Sequence, residues 1–142
     1  MGCCVTSRGK LKTVNGAKIL VVDDNSVVCD VVSQMLSRLG HEVSSADSGE
    51  KALSIFLGNM FDIVLTDYEM PGMDGVALAC SVKRSAPRTQ VVIMTGAGRE
   101  AVFSRKSAAV DQVISKPFTL AEIDETIQSL RSRALSAESL TF

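Results

Sequence analysis

No apolar run in this sequence approaches the roughly 18 residues that a membrane-spanning helix needs, and the first 16 residues lack the apolar core of a secretory signal. Neither sign of charge dominates: 15 basic residues stand against 16 acidic ones, a formal charge of −1. That balance provides no general field to draw the chain to nucleic acid or to an anionic membrane. The four cysteines, Cys3, Cys4, Cys29 and Cys80, do not form the two separated pairs of a zinc site. They do not form a disulfide framework either. Cys29 and Cys80 fall in apolar, helix-like stretches, where a free cysteine acts as a small buried hydrophobe; a reducing cytoplasm is the expected compartment. No internal repeat or low-complexity segment is visible.

What is present fits one compact domain, with 46% apolar residues in a chain of 142. From Met1 to about Gly16 the sequence is polar and carries Arg8, Lys10 and Lys12 without an apolar period, so it reads as a flexible arm. Its start, Met1-Gly2-Cys3-Cys4-Val5-Thr6, formally matches a myristoylation signal with two adjacent palmitoylation candidates. That pattern is short and loosely defined, and the expectation is an unmodified leader with no membrane attachment.

The domain begins near Ala17. Lys18 to Val22 is a nearly continuous β-branched run ending in Asp23-Asp24, the signature of a strand covered on both faces. Ser26 is the expected cap of a helix running to about Leu39, with Val28, Val31, Val32, Met35, Leu36 and Leu39 at helical spacing and Gly40 as its stop. The alternation then repeats. His41 to Ala46, Asp62 to Thr66, Gln90 to Met94 and Gln112 to Ser115 read as strands; Gly49 to Leu57, Gly75 to Ser85 and the stretch around Glu100 to Ser107 read as helices. A last helix starts near Leu120, capped by Thr119 with Glu122 closing a capping box, and shows Ile123, Ile127 and Leu130 on one face. Beyond Arg133 a polar tail is expected, 134–142. Five strand–helix units in so few residues imply a doubly wound parallel sheet, because parallel strands need crossovers and helices supply them.

In open parallel sheets, ligands bind at the carboxyl ends of the strands, and the unexpected polar residues lie there. Asp23 and Asp24 end the first strand, Asp67 the third and Thr95 the fourth, while Lys116 follows the fifth. Taken singly, each has an ordinary explanation: Asp23-Asp24 as helix caps, Asp67 as a turn former before Pro71-Gly72, Lys116 as a surface charge. Taken together, three carboxylates at one sheet edge would repel one another unless a cation compensated. Oxygen-only ligands suit Mg²⁺, or Mn²⁺, far better than zinc, and the single histidine, His41, opens the second strand at a distance in sequence.

From Lys18 to Leu130 the chain resembles the receiver domain of two-component response regulators. The resembling motifs are Val21-Val22-Asp23-Asp24, Asp67-Tyr68-Glu69-Met70-Pro71-Gly72-Met73-Asp74-Gly75, Met94-Thr95-Gly96 and Ser115-Lys116-Pro117-Phe118. They occur in order, each at an expected strand end. The resemblance implies a flavodoxin-like (βα)5 fold, a doubly wound five-stranded parallel sheet in strand order 2-1-3-4-5, with residues 17–133 forming the receiver domain. It implies that Asp67 is the phosphoacceptor, that Asp23, Asp24 and Asp67 with the Glu69 main-chain carbonyl hold Mg²⁺, that Lys116 pairs with the phosphoryl group, and that Thr95 hydrogen-bonds it. It implies a cis bond between Lys116 and Pro117. The expected partners are a histidine kinase or histidine phosphotransfer domain as donor and an unknown downstream protein as reader. The reading surface is formed by the helix after the fourth strand, the fifth strand and the last helix, and a homodimer through it is a further expectation. No direct contact with nucleic acid is expected, and no enzyme activity beyond the domain's own phosphorylation and dephosphorylation.

One departure stands out. The family commonly carries an aromatic residue three positions before the lysine, and Val113 occupies that place. Ala97 and Glu69, flanking the site, leave the lifetime of the phosphorylated state open. Three other readings compete. A haloacid-dehalogenase-type phosphatase would need its nucleophile on the first strand, and a flavodoxin-like cofactor binder would need a Gly-rich turn where Asp23-Asp24-Asn25 stands. An interaction module that keeps the fold without the chemistry would have no need of every one of these side chains.

Overall fold

A computed structural model of the chain describes residues 16–96 and 108–139. The arm expected before residue 16, the helix expected over Glu100 to Ser107 and residues 140–142 lie outside them. The described chain runs β1 (Lys18–Val22), α1 (Ser26–Arg38), β2 (Glu42–Ala46), α2 (Gly49–Leu57), β3 (Ile63–Asp67), α3 (Gly75–Ser85), β4 (Gln90–Thr95), β5 (Gln112–Ser115) and α4 (Leu120–Ser139). All strand pairings are parallel, and the sheet order is β2-β1-β3-β4-β5, the expected 2-1-3-4-5.

The continuous apolar strands are explained by a core on each side of the sheet. Ile19, Val21, Ile63, Leu65, Val92, Met94 and Ile114 face Cys29, Val32 and Leu36 of α1 and Ile123, Ile127 and Leu130 of α4. The alternate residues Leu20, Val22, Val64 and Val91 face Ala52 and Phe56 of α2 and Leu78, Ala79 and Val82 of α3. Strand side chains alternate between faces, so a strand buried on both must be apolar throughout.

Local chemistry sets the helix ends. Asn25, not Ser26, caps α1: its extended backbone turns Oδ1 toward the N–H groups of Val27 and Val28 at 3.0 and 3.3 Å, and Ser26 is already helical. The buried stripe of α1 is Cys29, Val32 and Leu36, while Val31, expected inward, is 50% exposed beside Val27. A stripe at i, i+3 and i+7 leaves no room for a residue two positions round the helix. Gly40 ends α1 as expected, at φ 93°. Ser48 caps α2, Asp74 caps α3, and Thr119 and Glu122 form the expected reciprocal box at 2.8 and 3.1 Å. The last helix continues past Arg133, where a polar tail is expected, because Ala134 to Ser139 contains no Pro or Gly to stop it. Among the described residues no helix is long and apolar enough to cross a membrane.

His41 does more than open β2. It is buried; its Nδ1 accepts from the Ala17 N–H at 3.0 Å, and Nε2 has no partner among the described residues. Burial lowers its pKa from the ordinary 6.5, Arg131 adding to the effect and Asp124 opposing it. Protonation would turn Nδ1 into a donor facing another donor. Below about pH 6.5 the unfolded chain therefore binds more protons here than the native one, so stability falls as pH falls, by at most about 1.4 kcal/mol per pH unit. Urea unfolding of the wild type and of His41→Asn between about pH 7.5 and 5 checks this. The variant should lose this component of the slope.

Candidate functional site

Parallel strands deliver their carboxyl ends to one edge of the sheet, and side chains distant in sequence meet there. Asp23 directly follows β1, Asp67 ends β3, Thr95 ends β4 and Lys116 follows β5. One carboxylate oxygen from each of Asp23, Asp24 and Asp67 lies within 4.8 Å of the others. Lys116 reaches into this group. Its Nζ lies 3.0 Å from Asp67 Oδ1 and 3.2 Å from Asp23 Oδ2.

Asp23 is 1% exposed, and each of its carboxyl oxygens has a donor. Oδ1 accepts from the Asn25 N–H at 2.9 Å, and Oδ2 accepts from Lys116. Asp24 is exposed, and Asp67 lies between the two extremes. The Lys116 N–H donates to the Thr95 carbonyl at 2.9 Å, which fixes the start of the lysine's loop against the end of β4. The Lys116–Pro117 bond is cis. Thr95 itself is buried, and Glu69 is exposed on the loop that follows Asp67.

Comparison with known proteins identifies the family. Residues 19–128 match the family described as "Response regulator receiver domain". The chain belongs to that family. The receiver domain is 35% identical over 120 residues to the chemotaxis protein CheY-3 of Vibrio cholerae, covering 82% of this chain and 92% of that one. It is 36% identical over 104 residues to the response regulator protein FleR of Pseudomonas aeruginosa, covering 72% of this chain but 22% of FleR. So it spans nearly all of the first relative and less than a quarter of the second. Among solved structures it resembles the response regulator protein TrrA of Thermotoga maritima in complex with Mg²⁺–BeF, with a TM-score of 0.72 and 28% identity, covering 80% of this chain and 98% of TrrA.

The electrostatics of the receiver site are unbalanced. Burial raises the pKa of Asp67 from its ordinary 3.8; the hydrogen bond from Lys116 opposes this, and the charge of Asp23 reinforces it. Burial works against the charge on Lys116 as well, but the hydrogen bonds and charges of Asp67 and Asp23 outweigh it and hold the ammonium above its ordinary 10.5. One lysine thus serves two carboxylates, Asp67 and Asp23. The lysine gains from that arrangement, whereas at Asp67 burial, reinforced by the charge of Asp23, outweighs what the lysine gives.

The donor chemistry fits a hard divalent ion. The clustered ligand atoms are all carboxylate oxygens, which suit Mg²⁺ or Mn²⁺, and three carboxyl groups stand there against the single positive charge of Lys116. His41 is committed elsewhere, to the Ala17 N–H. Cys29 is likewise structural: its Sγ–H donates to the Asp23 carbonyl at 3.3 Å, and burial raises its pKa from the ordinary 9.0. Two contributors escape sequence reasoning. Asn25 holds Asp23 through its main chain, a contact any residue type could make. Gly75 brings α3 against the Asp67 carbonyl, which the strand and helix periods do not register.

Proposed function

We propose that the chain is a phosphorylation-dependent signalling switch in a two-component phosphorelay, accepting a phosphoryl group on Asp67. The observation that carries this reading is the convergence of Asp23, Asp24 and Asp67 within 4.8 Å at the carboxyl edge of the sheet, with Lys116 Nζ 3.0 Å from Asp67. An Asp67 carboxylate oxygen attacks the phosphorus of a phosphohistidine. The P–N bond breaks, its electron pair returns to the imidazole, which takes up a proton, and Asp67 becomes an acyl phosphate. Lys116, a compact cation on a flexible stem, pairs with the transferred group, and the Thr95 hydroxyl hydrogen-bonds one of its oxygens. Asp23, Asp24, Asp67 and the Glu69 carbonyl would hold Mg²⁺, which when bound neutralises charge on the phosphoryl oxygens.

The donor is a histidine kinase or a histidine phosphotransfer domain, and the working compartment is the cytoplasm. The chain acts on no substrate besides its own aspartate. Output follows from the added charge of about −2 and the new acceptor oxygens: Thr95 moves toward the phosphoryl group, and the equilibrium between two arrangements of the domain shifts with it. A downstream protein, or a second copy of the chain, reads the face that includes β5 and α4.

Intact mass after incubation with acetyl phosphate tests the chemistry. With Mg²⁺ the wild type should gain one phosphoryl group, and with the metal chelated it should gain none. A chain that gains nothing from acetyl phosphate or from a competent phosphohistidine donor is a phosphorylation-independent interaction module instead.

A further inference from the structure

An event at Asp67 must travel through packed side chains to reach a distant surface, and Tyr68 stands on one such route. Tyr68 follows Asp67 directly. Its N–H donates to the Met94 carbonyl at 2.9 Å, and its own carbonyl accepts from the Gly75 N–H at 2.9 Å. The backbone is therefore clamped between β4 and the start of α3. The strand register pairs Thr66 with Ile93, Ile93 with Val113, and Thr95 with Ser115, so these residues share one face of the sheet. Tyr68, two residues beyond Thr66, continues that row level with Thr95. Its half-buried side chain packs against Ile93 and Val113, which are 0% and 4% exposed. Val113 belongs to β5, which also lines a groove of about 380 Å³ toward α4 whose rim carries Glu122 and Glu125; the Val113 side chain lies on the other face of the sheet, away from α4.

The cluster thus has the phosphoacceptor's neighbour at one end and β5 at the other. Position 113 is a valine, so β5 has no large side chain there to swing, and among the described residues Tyr68 is the aromatic member of this cluster. A close-packed ring cannot yield continuously; it shifts between discrete arrangements with its neighbours. We propose that Tyr68 is the positioning residue that transmits phosphorylation of Asp67 to β5, its ring moving over Ile93 and Val113 when Thr95 is drawn to the phosphoryl group. The proposal rests on Asp67 being the phosphoacceptor.

The chain has one tyrosine and no tryptophan, so tyrosine emission reports this side chain alone. The full chain is treated with acetyl phosphate and Mg²⁺, the phosphorylated fraction is read by intact mass, and emission is recorded with the NMR amide shifts of Gln112 to Ser115. Wild-type emission should change in proportion to the phosphorylated fraction, together with the β5 shifts. At equal phosphorylated fraction, Tyr68→Leu should lose the β5 shifts and Tyr68→Phe should keep them. Unchanged wild-type emission at full phosphorylation overturns the proposal, and so does a Tyr68→Leu chain with intact β5 shifts. A wild type that shows no mass gain overturns the phosphoacceptor reading itself, and this proposal with it. If Tyr68→Leu fails to fold, wild-type emission and Tyr68→Phe decide the matter.

Discussion

Asp67→Asn should abolish the Mg²⁺-dependent phosphoryl gain while leaving a chain at least as stable as the wild type in the absence of metal. The amide keeps the shape of the carboxylate but offers no anionic oxygen to attack phosphorus, so the loss of transfer should be complete. The stability prediction follows from the raised pKa of Asp67, caused by burial and by Asp23 despite the hydrogen bond from Lys116. A carboxyl with a raised folded pKa stabilises the fold below its unfolded value, near 3.8, and that contribution is lost as pH rises through the folded value. At neutral pH its charge is therefore a net cost, and asparagine removes it. Lys116 is not left unpaired, because its contact with Asp23 at 3.2 Å remains.

The same variant separates metal binding from acceptor chemistry. A ligand that binds only the native state stabilises it by RT ln(1 + [L]/Kd), about 1.4 kcal/mol at tenfold over Kd. Mg²⁺ should therefore raise the melting temperature of the wild type and raise that of Asp67→Asn less, since one carboxylate of the cluster is gone. Thermal melts with and without Mg²⁺, run beside the mass measurement, check both halves. A phosphoryl gain that persists in Asp67→Asn would move the acceptor to another residue.

The parts of this molecule legible in its sequence are those governed by local period and local chemistry. The strand run from Lys18 to Val22, the Thr119–Glu122 box and the stop at Gly40 each follow from a few adjacent residues, and the structure bears them out. The polar residues at strand ends were legible for a different reason: a charge directly after an apolar run is conspicuous, and parallel topology sends all such ends to one edge. What escaped is set by tertiary contacts. Asn25 rather than Ser26 caps α1, because the path of the loop after Asp23 decides which side chain faces the free N–H groups. Val31 points outward because it lies off the stripe of Cys29, Val32 and Leu36 that α1 buries. Lys116 bridges Asp23 as well as Asp67, and no spacing in the sequence reports that. Tyr68, quoted in a motif for its neighbour's sake, shows its packing against Val113 only in the assembled sheet.

Gly75→Ala should destabilise the fold more than any other single-methyl addition at a site-facing glycine, and should weaken Mg²⁺ binding with it. A Cβ at Gly75 would overlap the Asp67 carbonyl oxygen, and would lie 3.0 Å from Ile93 Cδ1 and 3.2 Å from the Tyr68 Cα. The side chain of Ile93 can give way. The backbone of Asp67 and Tyr68 cannot, because it belongs to the sheet and holds the Gly75 N–H at 2.9 Å. Overpacking against a fixed neighbour costs typically 1–3 kcal/mol and occasionally more, and about 3 kcal/mol is expected here, a fall of roughly 10 °C in melting temperature for a domain of this size. Gly40→Ala is the control. Gly40 sits at φ 93° with nothing within 4 Å of an added Cβ, so alanine there meets only the left-handed penalty of about 1–2 kcal/mol. Both variants lose stability, but only the Gly75 change pushes on the strand end that carries Asp67. Isothermal titration with Mg²⁺ at a temperature where both remain folded should show weakened binding in Gly75→Ala and wild-type binding in Gly40→Ala. Equal binding in the two would mean that the close approach of α3 shapes the fold without positioning Asp67.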